Sequence, residues 1–257
     1  MENKKVIYIG GKQIGVNCLR ILLKKGIRPE LVIANMDDNG QDTWHESIVK
    51  LSKKSNLSLI QNTRLSDKKL QKQIIESNAD IIFSIGGTHL IPEVILKAPK
   101  LGCFNIHPAL LPKYRGRYST VHALFNGEKN IGVTAHWMDM GIDTGPIILQ
   151  RKFKVTDADT AKSVYDNFTK LGTDIFEEFV EKWIKKRVPK SKIQNEKNAS
   201  YYPKGLPNDG NIDWNWNGLQ IYNFIRSMTF EPFPPASFYI GKKKMVIVEE
   251  KYFKGFK

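Results

Sequence analysis

Four short apolar runs open the chain at residues 5–9, 31–34, 57–60 and 80–85, and stretches of helical spacing separate them. After Gly10-Gly11, the residues Val16, Leu19, Leu22 and Leu23 recur on one helical face. Trp44, Ile48 and Leu51 repeat the spacing, and Leu70, Ile74 and Ile75 carry it through residues 67–76. The fourth run is apolar throughout, as a strand covered on both faces requires. Alternating strands and helices of this kind bury both periodicities when the strands lie parallel with helices on either face. The expected fold class is therefore α/β, a doubly wound and mostly parallel sheet. Ligands of such sheets lie beyond the C-terminal strand ends, here the stretches 86–90 and 105–107.

The densest chemistry follows in residues 104–148, which read FNIHPALLPKYRGRYSTVHALFNGEKNIGVTAHWMDMGIDTGPII. Asn105 and His107 stand two apart at the end of a short apolar run, so in an extended chain their side chains share one face. Pro108 ends that strand, having no N–H for a ladder. Residues 131–138 alternate well enough to form another strand, and 139–145 is a Gly-rich turn carrying Asp143. Singly, each feature is ordinary, because an Asp in such a turn usually just accepts backbone N–H groups. Together, an amide donor, an imidazole and a carboxylate at two loop ends beside a sheet can stabilise an oxyanion and move a proton.

The order of motifs is more specific than any one of them. His107-Pro108, Leu110-Leu111-Pro112 and Arg115-Gly116 are followed by Gly141-x-Asp143-Thr144-Gly145-Pro146-Ile147. This series resembles the formyltransferases that use N10-formyltetrahydrofolate. That family includes glycinamide ribonucleotide formyltransferase, methionyl-tRNA formyltransferase and the sugar-nucleotide N-formyltransferases. The resemblance implies a Rossmann-like catalytic domain, N10-formyltetrahydrofolate as co-substrate, and a catalytic triad of Asn105, His107 and Asp143. It also implies folate contacts from two loops. One is Ser84, Ile85, Gly86, Gly87 and Leu90; the other is Asp139, Met140 and Gly141, just before the carboxylate.

Other site chemistries fit less well. A dinucleotide fingerprint would need glycines at 10, 12 and 15, and Lys12 interrupts it, so no nicotinamide cofactor is implied. The glycines still let a backbone approach a phosphate or sugar, which makes Gly10 and Lys12 candidates for contacting the acceptor. His107, His122 and His136 lack the close spacing and the Cys or carboxylate company of a sequence-local zinc site, and no metal is expected. His136 shares a strand face with Thr134 and is a candidate to support the triad.

Composition bounds the setting. At 257 residues the chain can bury a full α/β core and carry a smaller appendage. No apolar run approaches the ~20 residues that span a bilayer, so no membrane association is expected. The N-terminus runs straight into a strand, so no signal peptide is expected, and Cys18 and Cys103 stand far apart in apolar contexts. A reducing, cytoplasmic location is expected. The net charge of +14 raises the case for an anionic partner, but the lysines are scattered, and most are read as solvated surface.

Residues 158–187 carry an apolar stripe of one long helix packed on the sheet, through Ala161, Val164, Phe168, Leu171, Ile175, Phe179 and Trp183. The expected organisation is a catalytic domain over residues 1–189, then a linker, helix and β-hairpin over 190–257. The helix is placed at 218–227 and the hairpin at 238–240 and 245–249, turning at 241–242. The hairpin is too small to be stable alone, and its apolar face is expected to form a homodimer contact or to fold back on the catalytic domain.

The acceptor is read from residues 200–214. Ser200-Tyr201-Tyr202-Pro203-Lys204 and Pro207-Asn208-Asp209-Gly210 resemble the substrate-binding connection of the sugar-nucleotide enzymes. The tRNA-directed members carry a whole C-terminal β-barrel, whereas this sequence stops shortly after the hairpin. The resemblance implies a small-molecule nucleotide sugar as partner, dTDP-4-amino-4,6-dideoxyglucose in the first instance, with no nucleic acid. Such a product would serve surface polysaccharide (O-antigen) biosynthesis. Lys204, Arg115 and Arg117 are candidates for its diphosphate, and Tyr201, Trp214 and Tyr222 for its base. Arg115 could equally pin its loop. The acidic pair Asp37 and Asp38 in the loop 35–41 is expected to repel a tRNA backbone. Methionyl-tRNA formyltransferase, a formyltetrahydrofolate hydrolase and a non-catalytic binding homologue are the alternatives carried forward.

Overall fold

The computed structural model describes residues 4–248. Among these, the first half alternates strand and helix as the apolar runs dictate. In order come β1 (Val6–Gly10), α1 (Lys12–Lys24), β2 (Leu31–Ala34), α2 (Ile48–Lys54), β3 (Leu59–Ile60) and α3 (Lys68–Glu76). β4 (Ile81–Ile85), α4 (Glu93–Leu96) and β5 (Cys103–His107) continue the pattern. Then follow β6 (Arg115–Gly116), α5 (Ser119–Phe125), β7 (Asn130–Trp137), β8 (Ile147–Lys154) and α6 (Ala161–Ile184). β9 (Tyr201–Tyr202), α7 (Gly218–Ser227), β10 (Ser237–Ile240) and β11 (Lys243–Val246) complete the chain.

The main sheet has the order β3-β2-β1-β4-β5-β7-β8. Strands β1 to β5 pair in parallel, and β7 runs antiparallel to β5. The fold class is thus the expected doubly wound, mostly parallel α/β sheet with a small C-terminal helix and hairpin. Chain order reverses between β1 and β4, which opens a crevice at their C-terminal ends. The loops there interlock closely. A Cβ on Gly10 would lie 2.0 Å from the Ile85 carbonyl oxygen, and one on Gly86, at φ +62°, 2.3 Å from that of Gly11.

By contacts the described chain forms two compact units, and it passes between them several times. The first takes residues up to 107, 134–150 and 169–194; the second takes 108–133, 151–168 and from 195 onward. One of these passages, between Gln194 and Asn195, lies close to the expected boundary at 189/190. In the first unit, apolar side chains from β1, β2, β4 and α3 form one cluster. Phe83 is ringed edge-on by Phe104, Phe176, Phe179 and Trp183 at 4.9–6.1 Å. Both cysteines are buried and free, and burial pushes the Cys103 thiol up to about 12. The second unit has its own core of Val121, Ile212, Phe224, Met228 and Ala236.

Several boundaries differ from expectation for local reasons. The helix expected over 158–187 spans Ala161–Ile184. Ahead of it, Asp159 accepts from Thr156 N, Thr156 Oγ1 and Ser163 Oγ, which holds a turn in place of a helical start. Trp44 lies outside α2, because Ser47 caps that helix by accepting from Lys50 N at 3.1 Å. Asp38 is only 7% exposed, and its carboxylate accepts from Ser47 Oγ and from Ile48 N at 2.8 Å. The expected repulsive pair is therefore corrected to one exposed acid, Asp37, and one buried cap. The expected hairpin pairs Phe238 with Met245, although residue 249 lies outside the described residues. Phe238 and Ile247 pack against the core of their own unit, while Tyr239, Ile240, Met245 and Val246 stay exposed. Among the described residues, no helix is long and apolar enough to cross a membrane.

Candidate active site

The antiparallel register of β5 and β7 brings the polar side chains together. Asn105 stands opposite His136 and His107 opposite Thr134, so all four alternate onto one face of the pair. His136 Nδ1 lies 2.8 Å from the Trp137 carbonyl oxygen. That oxygen can only accept, so Nδ1 carries the hydrogen and Nε2 is the acceptor. Asn105 Nδ2 donates to this Nε2 at 3.1 Å, which fixes how the amide is turned. Behind the pair, Gln150 Nε2 donates to Thr134 Oγ1 at 2.8 Å.

Asp143 comes from the turn between β7 and β8. Its backbone is left-handed at φ +56°, a conformation that Asp tolerates better than most residues. The carboxylate lies 3.3 Å from His107 Nδ1 and 3.5 Å from Asn105 Nδ2, both able to donate to it; His136 Nε2 is also 3.5 Å away but, as an acceptor, offers it no hydrogen. The His107 and Asp143 side chains are nearly buried, at 6% and 12% exposure. Asn105 therefore has one amide hydrogen anchored on His136, and a second held only loosely by Asp143, at the limit of a hydrogen bond. That second hydrogen can turn to an oxyanion. With Nδ1 of His107 on Asp143, proton transfer by the ring runs through Nε2.

The two loops expected to hold folate differ in what they present. Ile85 has no exposed surface and Ser84 is buried, so the side chains of both lie in the core. The Ile85 carbonyl already accepts from Gly11 N at 3.1 Å. Beyond β4, Gly87 is exposed and Leu90 is 81% exposed, with Gly86 half-buried. Asn35, buried at the end of β2, braces this loop by donating to the Gly86 carbonyl at 2.9 Å and accepting from Thr88 N at 3.1 Å. In the second loop Gly141 is exposed and Met140 is 65% exposed. Asp139 uses its carboxylate internally, accepting from Gly141 N and Thr144 Oγ1.

Of the acceptor candidates, Gly10 and Lys12 lie in the first unit and the other six in the second. Lys12 opens α1 with φ +58°. Arg115 was open to two readings, and the geometry favours the pin. Its guanidinium is buried and clasps Glu196 with two hydrogen bonds, at 2.9 and 2.7 Å, which hold the Glu196 carboxyl below its usual range. Its strand β6 pairs with β9 in parallel, Arg115 opposite Tyr201. Arg117, Tyr201, Lys204, Trp214 and Tyr222 are all exposed. Tyr222 donates to the Asp157 carbonyl. His122 belongs to the second unit, stacked on Tyr202 with ring centres 4.1 Å apart. Among the described residues, no group of three or more His, Cys, Asp or Glu could hold a metal ion.

An amide, an imidazole and a carboxylate gathered at the end of β5 in a doubly wound sheet can together stabilise an oxyanion and move a proton. Family models name the reaction. The formyl transferase model matches residues 5–180, and the formyl transferase C-terminal domain model matches residues 206–255. The chain belongs to the formyl transferase family, enzymes of one-carbon transfer. It is 36% identical over 248 residues to the bifunctional polymyxin resistance protein ArnA of Wigglesworthia glossinidia brevipalpis, covering 96% of this chain and 38% of that protein. It is 30% identical over 253 residues to the methionyl-tRNA formyltransferase of Thermodesulfovibrio yellowstonii, covering 97% and 81%. Among solved structures it resembles the N-formyltransferase from Helicobacter canadensis in complex with folinic acid and dTDP-3-aminofucose. That match has a TM-score of 0.80 and 30% identity, covering 94% of this chain and 86% of the other.

Proposed function

We propose that this chain transfers the formyl group of N10-formyltetrahydrofolate to the amine of a dTDP-linked amino sugar. The observation that carries the acceptor is the likeness, over 94% of the chain, to an enzyme solved with folinic acid and dTDP-3-aminofucose. The 4-amino-4,6-dideoxyglucose expected from the sequence and the 3-amino sugar of that relative are the two acceptors to compare. In this reading residues 1–189 are the catalytic domain, and 190–257 supply acceptor contacts and a homodimer surface on the hairpin. The reaction belongs to the cytoplasm and to the supply of formylated sugars for surface polysaccharide.

The residues divide the work as follows. Asn105 turns its loosely held amide hydrogen to the oxygen of the formyl group as the sugar amine attacks the carbon. His107 takes the proton that the amine loses, or donates to the same oxygen. Asp143 orients the imidazole and stabilises its charged form. As the oxyanion collapses, the bond to N10 breaks and that nitrogen leaves with a proton, giving tetrahydrofolate and the N-formyl sugar. Gly86, Gly87, Leu90, Met140 and Gly141 flank the pterin, with Ser84, Ile85 and Asp139 framing it from within. Arg117 and Lys204 offer cations to the diphosphate, and Tyr201, Trp214 and Tyr222 offer flat surfaces to the base.

A second reading has its own support, since the methionyl-tRNA formyltransferase relative matches 97% of the chain. The test is incubation with N10-formyltetrahydrofolate and each candidate acceptor, read by mass. The sugars are expected to gain one formyl group. Formate released without any acceptor would indicate a hydrolase, and loss of folate turnover with retained binding a non-catalytic homologue.

A further inference from the structure

After α6 the chain returns past the start of β8, where Ile147 and Lys192 exchange both backbone hydrogen bonds at 2.8 Å. Two residues on, Gln194 is only 5% exposed. Its Nε2 donates to the carbonyl of Asp143 at 2.8 Å and to that of Gly145 at 2.7 Å. Both amide hydrogens are thereby committed to the turn that presents the carboxylate.

That turn needs holding. Asp143 is a non-glycine residue in the left-handed region, a strained state that persists where surroundings over-determine it. Asp139 braces the turn from inside, through Gly141 N and Thr144 Oγ1. Gly145 passes so close to β7 that a Cβ there would lie 1.9 Å from the Trp137 carbonyl oxygen. Gln194 grips the carbonyls on either side of Thr144, one of them belonging to Asp143 itself. The Asp143 carboxylate meets His107 at 3.3 Å and Asn105 at 3.5 Å, distances at which a small displacement breaks the set.

We propose that Gln194 is a positioning residue for formyl transfer. It holds Asp143 in the one backbone conformation from which its carboxylate reaches His107 and Asn105 together. The inference rests on the reading of Asp143 as part of the triad. Gln194 is nearly buried and spends its amide hydrogens on the turn, so its removal is expected to act on turnover and leave binding in place. A plug that merely satisfied two loop carbonyls would change stability, and its kinetic effect would not depend on Asp143.

The experiment compares Gln194→Met with Gln194→Asn. Methionine keeps the volume and loses both donors, while asparagine keeps the amide on a shorter stem. Turnover is measured with N10-formyltetrahydrofolate and dTDP-3-aminofucose, and folding by thermal midpoint and folinic acid binding. Gln194→Met is expected to lower kcat about 10- to 100-fold, the scale of a misplacement near 1 Å, with KM and folinic acid affinity within about 3-fold. Gln194→Asn is expected to fall between it and the parent. Added to Asp143→Asn, Gln194→Met is expected to cost less than about 3-fold more, since groups acting as one unit are not additive. Parental kcat in Gln194→Met, a loss confined to KM, or an equal loss in the Asp143→Asn background overturns the inference. Parental activity in Asp143→Asn alone overturns the triad reading first, and this inference falls with it.

Discussion

The side chains that meet at the end of β5 hold one another in place before any ligand arrives. His136 fixes the Asn105 amide, and Asp143 takes one nitrogen of His107. Asn105→Ala is accordingly expected to lower turnover about 10²- to 10³-fold, the usual loss of one oxyanion donor. His107→Ala is expected to cost about 10²- to 10⁴-fold. Asp143→Asn is expected to fall in the same range, because the amide cannot stabilise a charged imidazole. Kinetics with both substrates, alongside thermal midpoints, check this; near-parental rates in a folded variant would remove that residue from the triad. That Asn105 and His107 share a face was legible in their spacing, and Asp143 was set beside them by the likeness of the motif order to the family. Gln194 carried no such signal. It sits in the polar stretch 190–200, and its burial follows from the backbone bridge between Ile147 and Lys192, which no periodicity announces.

At the scale of elements, what could be read depended on local signals. α7 lies where the sequence puts it because Asn217 and Gln220 form a reciprocal capping box. The strand β8 was missed, because its exposed, charged outer positions and edge place in the sheet leave only a weak apolar pattern. The two-residue ladder of β6 and β9 depends on contacts about 85 positions apart in the chain, such as Tyr114 N to Ser200 Oγ, and has no local signature. Near that ladder, α5 carries His122, whose ring stacks on Tyr202, itself stacked on Tyr114. Burial lowers the His122 pKa from its ordinary value, against a backbone hydrogen bond involving Gly205 that raises it. The folded protein thus binds this proton less readily than the unfolded chain. Its contribution to stability declines as pH falls below the unfolded value, until the folded pKa is reached. Between about pH 7.5 and about pH 5, the thermal midpoint of His122→Phe, which keeps a ring in the stack, is expected to fall less than that of the parent. Equal declines in both proteins would show that His122 is not the group responsible.

At the scale of the whole molecule, charge and acceptor are separate matters. A net charge of +14 suffices for loose, salt-sensitive attraction to nucleic acid, and it says little about which amine is formylated. The exposed Tyr239, Ile240, Met245 and Val246 of the hairpin give the molecule an apolar edge, expected to pair with a second copy. Sedimentation at micromolar concentration checks this: a dimer in the parent and a monomer after removal of residues 235–257 is the expected pair of results. A monomeric parent, or a dimer that survives the removal, would place the contact elsewhere or nowhere. One competition decides the acceptor. N10-formyltetrahydrofolate is supplied with dTDP-3-aminofucose, dTDP-4-amino-4,6-dideoxyglucose and methionyl-tRNA in one reaction at moderate salt, and formylated products are counted by mass. Formyl groups are expected on a sugar amine, with methionyl-tRNA unmodified. Formylated methionyl-tRNA with both sugars unchanged would contradict the proposed acceptor.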